Sequence, residues 1–332
     1  MPPEWAPHER TWMAWPSSGY TLGEDDAAAD EARNAWAAVA NAVVRFEPVT
    51  MAVSPDAVDV ARTWLDPAVR LAEMPLDDAW MRDIGPTFVH AEDGSVAGVD
   101  WVFNGWGAQS WARWGDDAQV AGRVCEAAGV PAVPSSLVNE GGGIHVNGAG
   151  TILVTRTVQQ DPGRNPELTE SQVERELTRT LGVDRFIWLD RGLTRDYDEF
   201  GTRGHVDIVA CFSDETTVLF HDQTDTSHPD FEVSREVRER LESVPGLRVI
   251  AVPAPDVLTD AEGWVDYSYI NHYVCNGAVI LCSFDDAGDE RAAAILAEAY
   301  PGREIVLVDA RPIFARGGGI HCITQQQPLP RP

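Results

Sequence analysis

The chain has 332 residues, 44% of them hydrophobic, and a formal charge of −28 in which every basic residue is arginine, because lysine is absent. Such a length can bury a full core, the acidity argues against nucleic acid or an anionic membrane as partner, and the missing lysine removes Schiff-base and phosphate-loop chemistry. No apolar run approaches the roughly 18 residues of a membrane span, the N-terminus has no basic-then-apolar leader, and five cysteines without a Cys-x-x-Cys pair predict a reducing, cytoplasmic setting rather than disulfides or a zinc ribbon.

Along the chain one theme recurs. The apolar run Thr11–Trp15 comes first, then an amphipathic stretch that predicts a helix over Glu31–Val44, then a strand at Val49–Val53. Asp93-Gly94 is a hairpin turn between Thr87–His90 and Val96–Phe103, followed by a helix over Asp117–Gly129 and a strand at Val130–Val133. Asn147-Gly148 joins Ile144–Val146 to Thr151–Thr155. The next helix, Thr169–Gly182, opens on a capping box and stops at glycine, and Val183–Asp190 follows as strand. Ser213–Thr216 then connects His205–Phe212 with Val218–His221, before a helix over Glu232–Val244 and a strand at Leu247–Val252. Last come the Asn276-Gly277 hairpin between Tyr269–Cys275 and Ala278–Cys282, the helix Asp289–Tyr300 and the strand Glu304–Val308. Only Gly318–Gln325 is left to form strand, so Thr11–Trp15 is its expected partner, which would close a ring.

Gly-Gly-Gly-Ile-His occurs twice, at Gly141–His145 and Gly317–His321. Four complete units, a fifth completed by both termini and this echo predict a single α/β domain over 1–332. Its expected form is a five-bladed, pseudo-symmetric α/β propeller of ββαβ-type units, closed by the N- and C-terminal strands. A doubly wound sheet fits simple alternation equally well; the hairpins favour the propeller.

Radial units bring the start of each hairpin to one centre. Those positions hold Asp83, Glu140, His205 with Asp207, and Cys322, each beside glycine. Cys125, Cys211, Cys275 and Cys282 read as small buried hydrophobes. Cys322 differs, because it follows three glycines and precedes Thr324-Gln325-Gln326-Gln327. A cationic substrate or a nearby imidazolium would lower its pKa and create a nucleophile. If Gly204-His205-Val206-Asp207 is extended, His205 and Asp207 share one face and Val206 packs behind.

Guanidinium is planar and offers paired N–H donors that carboxylates accept bidentately. Two carboxylates would thus hold its carbon in line for a thiolate. His205 would protonate the departing ammonia and then activate water, and a third carboxylate would orient the imidazole. The blander readings are a surface strand for His205, an acidic loop with an Arg82–Asp83 or Arg82–Asp78 ion pair, and a metal site of His205, Asp207, Glu140 and His321, whose spacing matches no metal motif.

The chain resembles the agmatine deiminase family of the guanidino-group-modifying (pentein) superfamily. The resemblance runs nearly end to end. It is carried by Met1-Pro2-Pro3-Glu4-Trp5 with Thr11-Trp12-Met13-Ala14-Trp15-Pro16, then Trp80-Met81-Arg82-Asp83-Ile84-Gly85-Pro86 and Phe103-Asn104-Gly105-Trp106-Gly107. Asn139-Glu140-Gly141-Gly142, Gly204-His205-Val206-Asp207, Ser268-Tyr269-Ile270-Asn271 and Ile320-His321-Cys322-Ile323-Thr324-Gln325-Gln326 follow in the family's order.

This resemblance implies a cofactor-free, metal-free hydrolysis of agmatine, a small cationic guanidino compound, to N-carbamoylputrescine and ammonia, and a homo-oligomer. It implies Cys322 as nucleophile, His205 as general acid/base and Glu140 as the support of histidine and substrate. Asp83 and Asp207 bind the guanidinium, and Trp80 lines the site. The chain departs from the family at Gly319, where asparagine is usual, at Thr202-Arg203 before Gly204, and at Ile208 after Asp207. Arg203 and Arg316 are expected near the site, where they could bind a carboxylate; arginine or a guanidinoalkanoate is therefore an alternative substrate, and amidino transfer to an amine an alternative reaction.

Overall fold

A computed structural model describes residues 1–331. Its strands are β1 (His8–Ala14), β2 (Val49–Val53), β3 (Arg70–Glu73), β4 (Thr87–His90), β5 (Val96–Val102), β6 (Ala132–Val138), β7 (Ile144–Val146), β8 (Thr151–Thr155) and β9 (Arg185–Leu189). They continue with β10 (Ala210–Phe212), β11 (Thr217–Asp222), β12 (Arg248–Pro253), the short pair β13 (Thr259–Asp260) and β14 (Gly263–Trp264), β15 (Tyr273–Cys275), β16 (Ala278–Ser283), β17 (Glu304–Asp309) and β18 (Thr324–Pro328).

Five sheets share one topology: an antiparallel pair, a helical crossover, then a parallel strand. They are β4-β5-β6, β7-β8-β9, β10-β11-β12, β15-β16-β17 and β18-β1-β2, the last extended by β3. In the last sheet the C-terminal strand pairs antiparallel with the N-terminal one, with Thr11 opposite Gln326.

Each parallel partner is reached through an amphipathic helix, and local chemistry sets the ends of these helices. Asp25 caps Asp26–Val43 by accepting from Ala28 N–H at 2.9 Å. That cap starts the helix five residues before the expected Glu31, since alanines alone carry no apolar stripe to read. Helices Val120–Ala128 and Glu170–Leu181 stop at Gly129 and Gly182, both left-handed at φ +70°. The central strands β8, β11 and β16 are almost wholly buried, as strands covered on both faces are. The largest apolar cluster joins Trp12, Trp15, Trp36 and Met51 to Tyr273 and Ile280.

Three expected strands begin late. The His205–Phe212 run has a 3₁₀ turn at Val206–Ile208 and strand only from Ala210. Tyr269–Cys275 is strand only from Tyr273, and Gly318–Gln325 is a turn up to Thr324. In each case side chains intercept the backbone: Asp196 takes the Gly204 and His205 N–H groups, and Ser268 takes Ile270 N–H. Asn271 takes His321 N–H. The irregular stretch before the first strand of every sheet is therefore where the polar residues gather.

Candidate active site

The segments entering β4, β7, β10, β15 and β18 carry Asp83, Glu140, His205 with Asp207, Asn271 and Cys322. All six side chains are nearly inaccessible. The i, i+2 argument for His205 and Asp207 does not hold, because the backbone between them is a tight turn. They converge nonetheless. A methyl group placed on Gly142 would lie 2.5 Å from His205 Nδ1 and 3.0 Å from both Asp207 Oδ2 and Asp83 Oδ1. The bare glycine leaves a gap that three functional groups face.

Asp83 Oδ1 accepts from Gly142 N–H at 3.0 Å, and Oδ2 from the Trp106 indole at 2.9 Å. Asp207 Oδ2 accepts from His321 Nδ1 at 2.8 Å. The other oxygen, Asp207 Oδ1, has no partner, and neither has His205 Nδ1. The opposite imidazole nitrogen, His205 Nε2, meets Glu140 Oε2 at 3.2 Å. Unpaired buried polar atoms are costly, so the bare His205 Nδ1 facing this gap, with a second unpaired atom on the neighbouring Asp207, marks a place for a polar ligand.

Cys322 Sγ lies 3.5 Å from Asp207 Oδ2 and 3.3 Å from the Asn271 amide nitrogen. Trp80 is beside it. A methyl on Gly318 would be 2.6 Å from the Trp80 ring and 3.1 Å from Cys322 Sγ. A side chain at Gly319 would strike Asn271 Oδ1 at 2.4 Å, so the departure at 319 leaves Asn271 free to reach the thiol.

The electrostatics differ from expectation at one point. Burial, with Asp207 and Asp83 adding to it, pushes the Cys322 thiol well above its ordinary range. The thiol is thus protonated in the free protein, because its nearest charged neighbours are carboxylates rather than an imidazolium. Burial opposes protonation of His205, but Asp83 and Glu140 outweigh it and raise the imidazole to about 9. Burial lifts Asp83 to about 6 despite His205. For Glu140, burial is overcome by Arg164, then His205, and the carboxyl falls to about 2.

Arg164 is a partner that sequence reasoning missed. Its Nε lies 3.0 Å from each Glu140 oxygen, and its Nη1 lies 2.6 Å from Asp161. Glu140 thereby has its charge offset by a guanidinium of the chain itself, whereas among the described residues no arginine forms an ion pair with Asp83 or Asp207.

Of the two arginines expected to read a distant carboxylate, Arg316 is otherwise engaged and Arg203 makes only a partly exposed contact. Arg316 donates to Thr21 O, Ala28 O and Pro312 O and pairs with Glu31; it fastens the N-terminal helix and does not reach the site. Arg203 lies 3.4 Å from Asp161. The anticipated Arg82–Asp83 pair is absent as well, since Arg82 reaches Glu4 at 3.4 Å.

An aromatic cover closes the region. Tyr20 stacks on Phe200 at 3.7 Å between ring centres, Phe200 meets Trp111, and Trp111 stacks on Trp106. Trp106 and Phe200 hold left-handed backbones at φ 55° and 72°, a strained choice for bulky residues. Beside this cover lies an outer cavity of about 480 Å³ whose ionisable lining is Glu24, Asp77 and Asp78, the last raised by burial to about 7, with one cation, Arg113. No three His, Cys, Asp or Glu side chains among the described residues are arranged as metal ligands, and no helix among them is long and apolar enough to cross a membrane.

Comparison with known proteins gives a consistent picture. The profile of the Porphyromonas-type peptidyl-arginine deiminase family matches residues 1–328. A Streptomyces coelicolor protein provisionally assigned as an agmatine deiminase is 57% identical over 334 residues, spanning 99% of this chain and 98% of its own. The agmatine deiminase of Stutzerimonas stutzeri is 40% identical over 358 residues, covering 99% and 95%. Among solved structures, the agmatine deiminase of Enterococcus faecalis superposes with a TM-score of 0.91 at 32% identity, over 99% of this chain and 95% of the other. The mixed α/β fold is the one those enzymes share.

Proposed function

Because this chain belongs to the Porphyromonas-type peptidyl-arginine deiminase family, in company with the agmatine deiminases, we propose that it hydrolyses agmatine to N-carbamoylputrescine and ammonia through Cys322. It is a hydrolase of guanidino C–N bonds. The observation that carries the finer reading is the convergence of Asp83, Asp207 and His205 on the gap at Gly142, with the Cys322 thiol against Asp207.

In this reading the substrate guanidinium lies between Asp83 and Asp207, which accept its N–H donors. Its charge offsets the two carboxylates that hold the thiol protonated, so the thiol gives its proton to solvent in the complex, and the thiolate attacks the guanidino carbon. His205, an imidazolium at neutral pH, donates a proton to one amino group, which leaves as ammonia. A thiouronium remains on Cys322. Neutral His205 then takes a proton from water as the oxygen adds to the carbon; the C–S bond breaks and returns the thiolate, and the second water proton passes from the product oxygen to solvent, where the ammonia released earlier takes it up as ammonium. Glu140, held by Arg164, keeps the imidazole oriented.

Agmatine is favoured over arginine by the outer cavity, where Glu24 and Asp77, with Asp78 raised to about 7, face a single arginine, and by Arg316 being bound to backbone carbonyls. The reading also takes the chain as one catalytic domain whose five like sheets form a five-bladed propeller around the site. An ammonia-release assay over guanidino compounds tests it. Agmatine is expected to be the best substrate and Cys322→Ser to be inactive. Robust turnover by that variant, or transfer of the amidino group to an amine without ammonia, would sink the mechanism.

A further inference from the structure

Glu4 belongs to the N-terminal Met-Pro-Pro-Glu-Trp segment, far in sequence from every group discussed above, yet only 4% of it is exposed. Its Oε1 accepts from His321 Nε2 at 2.8 Å and lies 3.4 Å from Arg82 Nη1. Its Oε2 lies 3.6 Å from His145 Nε2. The two copies of Gly-Gly-Gly-Ile-His thus deliver both their histidines to one buried carboxylate. Only one of the pair goes further: His321 Nδ1 meets Asp207 Oδ2 at 2.8 Å. Arg82 ties the same assembly to the nucleophile's backbone, donating from its amide to Cys322 O and from Nε to His321 O.

Placing this many ionisable groups out of water costs more than an apolar filling of the same volume would, so stability alone does not account for them. Geometry does. Asp207 has one oxygen fixed by His321 and the other unpaired. A carboxylate pinned on one side presents the second oxygen in one orientation.

We propose that Glu4 and His321 form a positioning relay, in which the imidazole anchored on Glu4 holds Asp207 Oδ2 between the Cys322 thiol and the gap at Gly142, so that the carboxylate meets the guanidinium of the substrate in one fixed orientation. The relay rests on the reading of Asp207 as a substrate-gripping group. It resembles the carboxylate–histidine pairs that orient metal ligands, except that the oriented group here is a carboxylate.

The charges around the relay determine its pH behaviour. His321 faces Glu4 and Asp207, which favour its protonation, against burial and Arg82; His145 and His272 lie beyond. Asp207 faces His321, His205, Arg82 and the Cys322 thiol. Replacing Glu4 by the neutral Gln weakens the hold on the His321 proton, and Asp207 then ionises less readily.

The test measures ammonia release from agmatine against pH for the wild type, Glu4→Gln, His321→Ala, His321→Asn and His145→Gln, with melting temperatures alongside. Glu4→Gln is expected to raise KM about tenfold, the scale of one charge-assisted hydrogen bond. Its kcat should change far less, and the acid limb of kcat/KM, which belongs to Asp83, should stay in place. His321→Ala should do worse, whereas His321→Asn, whose amide can reach the place of Nδ1, should recover part of the loss. His145→Gln reports the purely architectural effect. If Glu4→Gln and His321→Ala lower only the melting temperature, with KM where His145→Gln leaves it, the relay is refuted. A readout without substrate separates this failure from failure of the function itself. The pH midpoint for iodoacetamide alkylation of Cys322 should rise in Glu4→Gln, because the thiol then faces a less neutralised Asp207. An unmoved midpoint would equally overturn the relay, even in a protein that released no ammonia.

Discussion

A methyl group on Gly142 would come within 2.5 Å of His205 Nδ1 and 3.0 Å of two carboxylate oxygens. Gly142→Ala should therefore fold and yet lose at least about a hundredfold in kcat/KM, since a displacement of the order of 1 Å at reacting groups costs about that much; activity within threefold of wild type would show that the gap is not where the substrate sits. The ionisations of the site predict its pH profile. Asp83 must lose a proton held to about 6, and His205 must keep one held to about 9, so kcat/KM should rise through pH 6 and fall through pH 9. The same imidazole bears on stability. Its pKa is higher in the folded chain than in the unfolded one, so its contribution is complete below about 6.5, the unfolded value, and is lost as pH rises through 9. Thermal melts that gained stability across that window would contradict the assignment. The residues singled out from sequence were those whose chemistry is unusual at a hairpin entrance: a lone thiol, a His-x-Asp, a carboxylate beside glycine. Arg164, Asn271 and Glu4 escaped, because their importance lies in a partner 24, 51 and 317 residues away, which no local pattern encodes. Asn271 alone had a positional signal, since it stands at the entrance to the one hairpin that supplied no candidate.

Helices were legible where charge and apolar residues alternate, as in Glu170–Leu181, with its capping residues and terminal glycine. The alanine-rich start of Asp26–Val43 was not, since the Asp25 cap rather than an apolar stripe defines it. Strand entrances were misjudged for one reason. Apolar runs such as Val206–Phe212 read as continuous strand, whereas the hydrogen bonds of Asp196 fold the preceding segment into a turn. That turn is what brings His205 and Asp207 to the same place by a route other than strand alternation. Arg316 marks the opposite error, in which proximity in sequence to Cys322 suggested a role in the pocket. Its guanidinium instead joins the segment around Pro312 to Thr21 and Ala28. Arg316→Ala should lower stability by about 2–3 kcal/mol, the scale of lost hydrogen bonds to a charged group, measured by denaturant titration. The preference for agmatine over arginine should stay the same; a gain in arginine turnover or a loss of it would return Arg316 to the substrate.

At the scale of the molecule, the formal charge of −28 and the carboxylates lining the outer cavity should draw a cationic substrate in. Raising ionic strength from about 20 to about 200 mM shortens the reach of those charges, so kcat/KM for agmatine should drop several-fold while kcat holds. A salt-independent kcat/KM would mean that the acidity serves something other than capture. The recurring plan of hairpin, helix and parallel strand could be read because turn residues and helix caps punctuate it at regular intervals. What the punctuation could not give was the depth at which each entrance segment sits, which depends on packing between sheets.

The pairing of β1 with β18 has one more consequence. His8 lies opposite Pro328, Leu329 N–H reaches Pro7 O, and Met1 and Arg331 line the same surface cavity. This seam brings residues 1 and 331 to the same side of the molecule. A short linker could join residues 1 and 331 and the chain could be opened at an exposed turn such as Pro301-Gly302, with Glu4 and Cys322 then lying in the interior of the rearranged chain.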